Sequence, residues 1–513
     1  MLKVKISEKA SRFLKCSVCA LSLILGMVQV SDVYGNDGNK TYEGPVSNGG
    51  NGEENNDSEN YPFEKAQGTV ADDQVCGLRI KEEKTILLGV DHTFSELSQK
   101  NEGDFGDINF FRKYPNLMSV EFSNIELTDD AIQNLQTFLP ENLKMIIIDS
   151  CKISKKGYAL LAKLLKSRKE IVSIRIRMYS ANADQSATII DSLGELKNLK
   201  YLGLGFGKIS EKSLGTLGEY IGQLKDLKDI SLSWMGITED DDSDSNDKDD
   251  NDDQRKNSNE YDQFLSGFSL IASSLTGIEF AFIELPEKVS EDLFTELDKC
   301  RDVNKLTLWV GNMNKYERAA TNECAKRLGD ALTNMKSLTN LDISCMGLET
   351  SFMKTFANCY EIGDALTALN ISGNTLEADA AAPLGESLKN ATNLQVLLAN
   401  DCKMENQALG DLFKNLGNSA LKCICLSNNK LKDGIKQLPI KNMTDLQGID
   451  LSNNEMGSEE ILYISENAPD NLKIVKCNNN KGLKEMKRAE LTDLIDKLEQ
   501  KNMEGQTVGF LGI

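Results

Sequence analysis

The sequence predicts an α/β solenoid shaped like a horseshoe, with a parallel β-sheet on its concave face and α-helices on its convex face. A phrase of the form L-x-x-L-x-L-x-x-[N/C]-x-L, with apolar substitutions, occurs about thirteen times between Leu117 and Leu483. More than half of the spacings between successive phrases are 27 or 28 residues. Apolar residues at helical spacing follow most phrases. Because one strand and one helix cannot bury their apolar faces alone, such units must stack into an arc.

Each phrase predicts one strand, because its apolar residues alternate and therefore share one face of an extended chain. We number the phrases as repeats 1 to 13, and the residues within each phrase from its first position. The phrases begin at Leu117, Leu143, Ile171, Leu199, Leu227, Leu275, Val303, Leu338, Leu366, Leu394, Leu421, Leu446 and Leu472. The segment TILLGV, from Thr85 to Val90, predicts a degenerate leading strand.

Hydroxyl and amide side chains mark the boundaries of the predicted elements. The predicted helix N-caps, which follow the strands, are Thr128, Ser154, Ser210 and Ser290. An asparagine stands just before several strands, where we expect a tight turn with left-handed geometry. These asparagines are Asn116, Asn142, Asn198, Asn393 and Asn471.

The first 35 residues have the composition of a signal peptide. Basic residues precede an apolar run from Val18 to Val30, and small residues precede Asn36. An uncleaved membrane anchor is the alternative, although the run is short for a membrane span. Residues 36–75 are rich in Asn, Gly and acidic residues and predict a disordered spacer. The predicted localisation is secreted, with delivery into a host cell as a further hypothesis.

The rest of the chain divides into a repeat domain and two caps. Residues 76–116 predict an N-terminal capping region, 117–485 the repeat domain, and 486–513 a C-terminal capping helix and tail. The interval from Leu227 to Leu275 is 48 residues, 20 more than its neighbours. It contains ten acidic residues between Glu239 and Asp253. Because like charges repel, we expect residues 239–259 to form a disordered insertion.

The net charge of −21 limits the classes of partner. Nucleic acid and anionic membrane both require a basic footprint, so we expect neither, beyond the signal segment. A basic protein partner is compatible with the charge, and so is a simple role in solubility. The sequence predicts no oligomeric state.

The cysteines follow the repeat rather than a disulfide framework. Cys151 and Cys402 occupy the ninth position and Cys477 a core position, as reduced structural thiols would. Many thiols in an exported protein suggest that the protein ends in a reducing compartment, such as the cytosol of a host cell. Cys423 and Cys425 are expected to point out of the concave face, as tolerated small residues or as a soft-metal or redox contact.

The repeats resemble the ribonuclease-inhibitor type of leucine-rich repeat, over roughly residues 85 to 485. That type has long units with α-helices on the outside, and it includes Ran GTPase activators and the sensing regions of NOD-like receptors. The resemblance implies a leucine-rich-repeat horseshoe that binds protein partners, with a different partner in each relative.

Catalytic chemistry has little support in the sequence. His92 is the only histidine, and the metalloprotease and phosphate-loop motifs do not occur. We expect no catalytic residues, no cofactor and no metal site. The predicted function is a non-enzymatic, exported protein–protein interaction module that acts on host proteins. The alternatives are a GTPase-activating regulator resembling Ran activators and a surface adhesion protein.

The predicted partner-binding surface lies in repeats 3 to 7. Positions 3, 5 and 7 of each phrase should point into the concave space, and position 8 should lie at the adjacent rim. Arginine and aromatic residues at these positions have the composition of an interface hot spot. They are Arg175, Arg177, Tyr201, Phe206, Trp234, Phe282 and Trp309. The alternative is that some rings pack under the rim.

Overall fold

The computed structural model describes residues 116–238, 258–282, 287–310, 322–417 and 420–482, together with four strands nearer the N terminus. The described residues form a leucine-rich-repeat solenoid. Thirteen parallel strands, one for each predicted repeat, build its sheet, and helices pack along the other side. The predicted α/β solenoid is therefore confirmed.

The four N-terminal strands are β1 Ala66–Gln67, β2 Val75–Lys81, β3 Lys84–Gly89 and β4 Thr93–Ser98. The strands of repeats 1 to 7 are β5 Ser119–Ser123, β7 Met145–Asp149, β9 Ser173–Met178, β10 Tyr201–Phe206, β12 Asp229–Trp234, β14 Gly277–Phe282 and β15 Lys305–Val310. Those of repeats 8 to 13 are β16 Asn340–Asp342, β17 Ala368–Asn370, β18 Val396–Leu398, β19 Cys423–Cys425, β20 Gly448–Asp450 and β21 Ile474–Lys476. Four two-residue strands lie beside the sheet: β6 Glu126–Leu127, β8 Lys152–Ile153, β11 Ile209–Ser210 and β13 Ile237–Thr238.

Each repeat strand pairs in parallel with the strand of the next repeat, in the register of the phrase. The fourth residue of one phrase lies beside the fourth residue of the next phrase. Leu202, for example, pairs with Ile174 and with Ile230. The register continues to the last strand, where Ile449 pairs with Val475. Columns of apolar side chains therefore run the length of the sheet.

The sheet begins with an antiparallel ribbon rather than with a leading repeat. Strand β2 is parallel to β5, but β3 is antiparallel to both β2 and β4. Residues 85–89 of the predicted strand TILLGV lie in β3. The prediction of a degenerate leading strand of the repeat series is wrong, because β3 runs against the repeat strands. Strand β1, inside the predicted spacer, pairs with β4. The predicted signal peptide and His92 lie outside the described residues.

The helices of repeats 1 to 6 are α1 Asp129–Phe138, α2 Lys155–Lys166, α3 Ala183–Leu193, α4 Glu211–Ile221, α5 Ser258–Ile271 and α6 Glu287–Leu297. Those of later repeats are α7 Asn322–Asn334, α8 Thr350–Cys359, α9 Ala378–Leu388, α10 Asn406–Phe413 and α11 Ser458–Asn467. Because α5 begins at Ser258, the predicted insertion 239–259 ends two residues too late. Residues 239–257 and 486–513 lie outside the described residues.

Repeat 11 replaces the α-helix with two short 3₁₀ turns, Asp433–Gln437 and Ile440–Asn442. Only 25 residues separate its first position, Leu421, from that of repeat 12, Leu446. The shorter unit leaves less chain between its strand and the next one, and 3₁₀ segments suit short pieces.

Three of the four predicted N-caps are confirmed. The side chains of Thr128, Ser154 and Ser210 each accept a hydrogen bond from a backbone N–H in the first helical turn. Ser290 is not a cap, because α6 begins at Glu287 and already includes it.

The asparagines that precede strands do not have left-handed backbones. Two of them form hydrogen bonds to the preceding repeat instead. Asn198 donates from its side-chain amide to the carbonyl oxygen of Lys169 at 3.0 Å, and Asn471 donates to that of Thr444 at 2.8 Å. The predicted turn geometry is therefore wrong, and each of these two side chains bonds a carbonyl of the preceding unit.

The core lies between the sheet and the helices. The first, fourth and sixth residues of the phrases are almost fully buried, and in repeat 3 Ile171, Ile174 and Ile176 are each 0% exposed. Stacking thus shelters a continuous apolar seam that no single repeat could bury. Across the described segments, no helix is both long and apolar enough to cross a membrane.

Candidate functional site

The repeats are of two kinds, which differ in how the chain leaves the strand. In repeats 1, 2 and 8–13 the eighth residue has a left-handed backbone, with φ between 52° and 73°. These residues are Asn124, Ser150, Cys345, Gly373, Asp401, Asn428, Asn453 and Asn479. After this turn, buried ninth residues such as Asn374 and Asn454 lie under the end of the strand.

Asn454 shows what the ninth residue does in these repeats. Its amide nitrogen donates to the carbonyl oxygens of Leu426 and Leu451, at 2.9 and 3.0 Å. Its side-chain oxygen accepts from the backbone N–H of Leu431 at 3.1 Å. One buried side chain therefore satisfies three backbone groups of two successive repeats. Equivalent bonds are made by Asn374, Asn429 and Asn480.

Cysteine replaces asparagine at the ninth position of repeats 2 and 10. Cys151 and Cys402 are 2% and 0% exposed, and the Cys151 thiol lies 3.3 Å from the carbonyl oxygen of Phe122. Burial raises the pKa of Cys151 to about 11. The predicted burial of both cysteines, and of Cys477, is confirmed.

Repeats 3 to 7 leave the strand differently. Their strands are six residues long and continue through the eighth position. Because side chains alternate along an extended strand, the eighth residue joins the fourth and sixth on the core side. The eighth residues Met178, Phe206, Trp234 and Phe282 are accordingly no more than 2% exposed.

Three of the seven predicted partner-binding residues are therefore in the core. The predicted exposure of Phe206, Trp234 and Phe282 at the rim is wrong, because the prediction ended each strand one residue too early. The Trp234 ring stacks on Phe282 with 4.0 Å between centroids and meets Phe264 edge-on at 6.3 Å. These rings hold adjacent repeats together.

In repeats 3 and 5 the ninth residue is correspondingly released to the surface. Tyr179 is 43% exposed and Met235 is 39% exposed. They are two of the four exposed large apolar side chains in the described part of the chain. Their exposure was not predicted from the sequence. The available signal was the lack of asparagine and cysteine at the ninth position, which repeats 1 and 8 share.

Beyond Tyr201, the strand of repeat 4 is bare on the concave face. Its fifth and seventh residues are Gly203 and Gly205, and Gly207 follows the strand as the ninth residue of the repeat. A Cβ at Gly205 would lie only 3.0 Å from Cγ of Arg177 and 2.8 Å from Oγ of Ser233. The glycines thus leave the space through which side chains of repeat 3 cross β10.

The side chain of Arg177, in repeat 3, passes through this space and reaches Glu279 in repeat 6. Its Nη2 lies 3.2 and 3.3 Å from the carboxylate oxygens of Glu279 on β14. Ser231, on the intervening β12, donates its hydroxyl to the same carboxylate at 2.8 Å. The Arg177 side chain is only 15% exposed, whereas that of Glu279 is 45% exposed.

Two tyrosines complete this group. The hydroxyl of Tyr179 lies 3.2 Å from that of Ser233, which places its side chain across β10 as well. Tyr201, half-buried, lies beside Arg175. Desolvation raises the pKa of both tyrosines, and the positive charges of Arg177 near Tyr179 and of Arg175 near Tyr201 act in the opposite direction. We call Arg175, Arg177, Tyr179, Tyr201 and Glu279 the central cluster.

Trp309 lies on β15, three strands from β10 and next to β14, the strand of Glu279. It is 8% exposed, and its indole N–H donates to the carbonyl oxygen of Cys345 at 2.8 Å. Cys345 makes the first left-handed turn after the long strands, so Trp309 marks the junction between the two kinds of repeat. Of the seven predicted site residues, only Arg175, Arg177 and Tyr201 come together.

The concave face of the later repeats is made of smaller side chains. Asp342 accepts hydrogen bonds from the backbone N–H of Ser344 and the side chain of Asn370, both at 2.9 Å. Its burial raises the pKa of its carboxyl group.

Cys423 and Cys425 both lie on β19, in the same half of the sheet. They are at most 1% exposed and pack with Val396 and Leu398 in an apolar cluster separate from the main core. Their sulfur atoms are 4.0 Å apart. Within the described residues, no three His, Cys, Asp or Glu side chains converge where they could hold a metal ion.

No protein-family model and no curated protein sequence matches this chain. Among solved structures, the chain is similar to the yeast Rad7–Elc1 complex, with 16% identity and a TM-score of 0.43 over 69% of this chain and 80% of the other. It is similar to an internalin from Listeria monocytogenes, with 16% identity and a TM-score of 0.40 over 75% and 86% of the two chains. A leucine-rich-repeat protein of Leptospira interrogans shows 15% identity and a TM-score of 0.34 over 76% and 96%. Similarity at this level says nothing about what this chain binds.

Proposed function

We propose that this chain is a non-enzymatic protein-binding module of the ribonuclease-inhibitor type, which holds its partner against the concave face. The observation that carries the proposal is the central cluster. Arginine and tyrosine often dominate the energy of protein interfaces. Here the bare strand of repeat 4 and hydrogen bonds across three repeats hold them in place. Side chains that are fixed beforehand lose less conformational entropy when a partner binds.

The repeat type is supported by the unit length and by the outer helices. Most units span 27 or 28 residues, and the described repeats carry α-helices opposite the sheet. A long sheet of this kind offers an extended surface, which suits a macromolecular partner better than a small substrate.

We further propose that the protein is exported and acts on proteins of a host cell, as a bacterial effector does. The composition of residues 1–35 supports export. The nine cysteines from Cys151 to Cys477 are all unbridged, which supports a reducing destination. Burial raises the pKa of Cys300 and of Cys477 to about 12, so both remain thiols at neutral pH.

The test is capture followed by quantitative binding. The full chain is immobilised and exposed to a lysate of cultured eukaryotic cells, and each retained protein is purified and titrated. Tyr201→Ala should weaken binding by about 2 kcal/mol, or about thirtyfold. Tyr463→Ala is the matched control, because Tyr463 is also half-buried but lies on α11, opposite the sheet. The proposal fails if no protein is retained, or if the control weakens binding as much as Tyr201→Ala.

A further inference from the structure

We propose that Tyr179, Tyr201 and Glu279 receive a lysine or arginine side chain of a basic protein partner. The inference rests on the proposed function and names the chemistry that the concave face recognises. It also reverses the roles expected from the sequence. Arg175 and Arg177 become positioning residues, whereas Tyr179 and Glu279, which were not predicted, become contacts.

The accessible charges of the central cluster are negative. Arg175 is 6% exposed and the Arg177 side chain 15% exposed, whereas the Glu279 side chain is 45% exposed. Asp149 and Asp229, on strands to either side, are half-buried carboxylates. An incoming group therefore meets the Glu279 carboxylate before the less exposed guanidinium group of Arg177.

The hydrogen bonds that Glu279 already receives also favour a cationic ligand. Nη2 of Arg177 is directed at Glu279, so an anionic ligand would have to displace a formed ion pair. A cationic ligand displaces nothing, because a carboxylate has about four acceptor sites. Glu279 receives Arg177 and Ser231, and nearly half of its side chain remains open to solvent.

The tyrosines supply the second half of a cation site. Tyr179 is 43% exposed, and the charge of Glu279 acts on the hydroxyl groups of both Tyr179 and Tyr201. A cation that lies beside a carboxylate and over an aromatic face is attracted by both. The guanidinium group of an arginine also stacks on such rings. The bond from Tyr179 to Ser233 fixes the ring before the ligand arrives.

The experiment selects ligands without assuming a sequence. A random peptide library displayed on phage is selected on the full chain at about physiological ionic strength, where the Debye length of about 8 Å suppresses long-range charge attraction. We expect the enriched peptides to carry lysine or arginine. A consensus peptide is then synthesised and its affinity measured for the wild type and for point variants, each checked for an unchanged melting temperature.

The variants separate a cation site from an anion site. Glu279→Gln should weaken the consensus peptide at least tenfold, and Tyr179→Leu about three- to tenfold. Glu121→Gln is the matched control, because Glu121 holds the same fifth position in repeat 1 and also receives a serine hydroxyl, from Ser123. Arg177→Gln should weaken the consensus peptide less than Glu279→Gln does, because Arg177 only positions the carboxylate that contacts the peptide.

Three outcomes would overturn the inference. One is enrichment of acidic or uncharged peptides, with Arg177→Gln abolishing their binding, which would leave the proposed function intact. Another is a cationic consensus peptide that the Glu279→Gln variant binds as tightly as the wild type does. The peptide would then bind elsewhere on the acidic chain. If no peptide is enriched, the inference fails, and the capture experiment alone then decides the proposed function.

Discussion

At the scale of single residues, the asparagine at the ninth position of repeats 9 and 11–13 pairs the backbone at the turn. An asparagine there satisfies buried backbone groups that water cannot reach, as Asn454 does for Leu426, Leu431 and Leu451. Without such a residue those groups would remain unpaired, at a cost of about 1–3 kcal/mol each. Repeats 3 to 7 avoid that cost by prolonging the strand, which pairs the same backbone groups within the sheet.

Asn454→Ala should therefore lower the free energy of unfolding by about 2–4 kcal/mol, because several buried backbone groups lose their partner. The control is Asn453→Gly at the exposed eighth position, where φ is 55° and glycine fits without strain. We expect the control to change stability by less than about 0.5 kcal/mol. Urea denaturation measures both, and equal losses would contradict the structural role of the ninth residue.

Trp234→Ala should cost about 3–5 kcal/mol of stability, because it opens a cavity between Phe264 and Phe282. Met235→Ala, one residue further on and 39% exposed, should cost less than about 1 kcal/mol. Thermal melting of the two variants distinguishes them. If Trp234→Ala melted like the wild type and lost only partner binding, the rim position expected from the sequence would be right after all.

At the scale of elements, one helix crossing has no room for a side chain. A Cβ at Gly267 on α5 would lie 1.8 Å from the carbonyl oxygen of Gly218 on α4. A Cβ at Gly218 would lie 2.4 Å from Cα of Phe264. The two helices therefore touch through their backbones. This contact anchors the helix of repeat 5, which follows the acidic segment.

Gly267→Ala should destabilise the chain by about 1–3 kcal/mol, because α4 and α5 must move apart. Gly363→Ala is the control, since no atom lies within 4 Å of a Cβ at that position. The control should be neutral, or slightly stabilising through the unfolded state. Chemical denaturation of both variants tests the crossing, and a neutral Gly267→Ala would mean that the helices are not in backbone contact.

The elements also show what the sequence could predict. Strand and helix positions depend on apolar residues repeated in every unit, so Leu202 or Ile230 reveal their role by their spacing alone. The central cluster depends on two features that spacing does not contain. One is the strand length in repeats 3 to 7, which buries Trp234 and exposes Tyr179. The other is the pairing of Arg177 with Glu279, 102 residues later in the chain.

At the scale of the whole molecule, charge and surface act together. The chain carries a net charge of −21, and ten of its acidic residues fall between Glu239 and Asp253. That segment directly follows β13 of repeat 5, which also carries Met235 near the central cluster. A field of one sign accelerates the approach of a ligand of opposite sign without altering the contacts that hold it.

Replacing those ten acidic residues with Asn and Gln should therefore lower the association rate constant of a cationic peptide about tenfold at low ionic strength. The dissociation rate constant should stay the same, because the contacts with Glu279 and Tyr179 are intact. Stopped-flow mixing with the labelled consensus peptide gives both constants, and at about 0.5 M salt the two proteins should associate at similar rates. Glu279→Gln is the counterpart, since it should speed dissociation and change association little. An association rate that does not respond to the ten substitutions at low salt would separate the acidic segment from recognition.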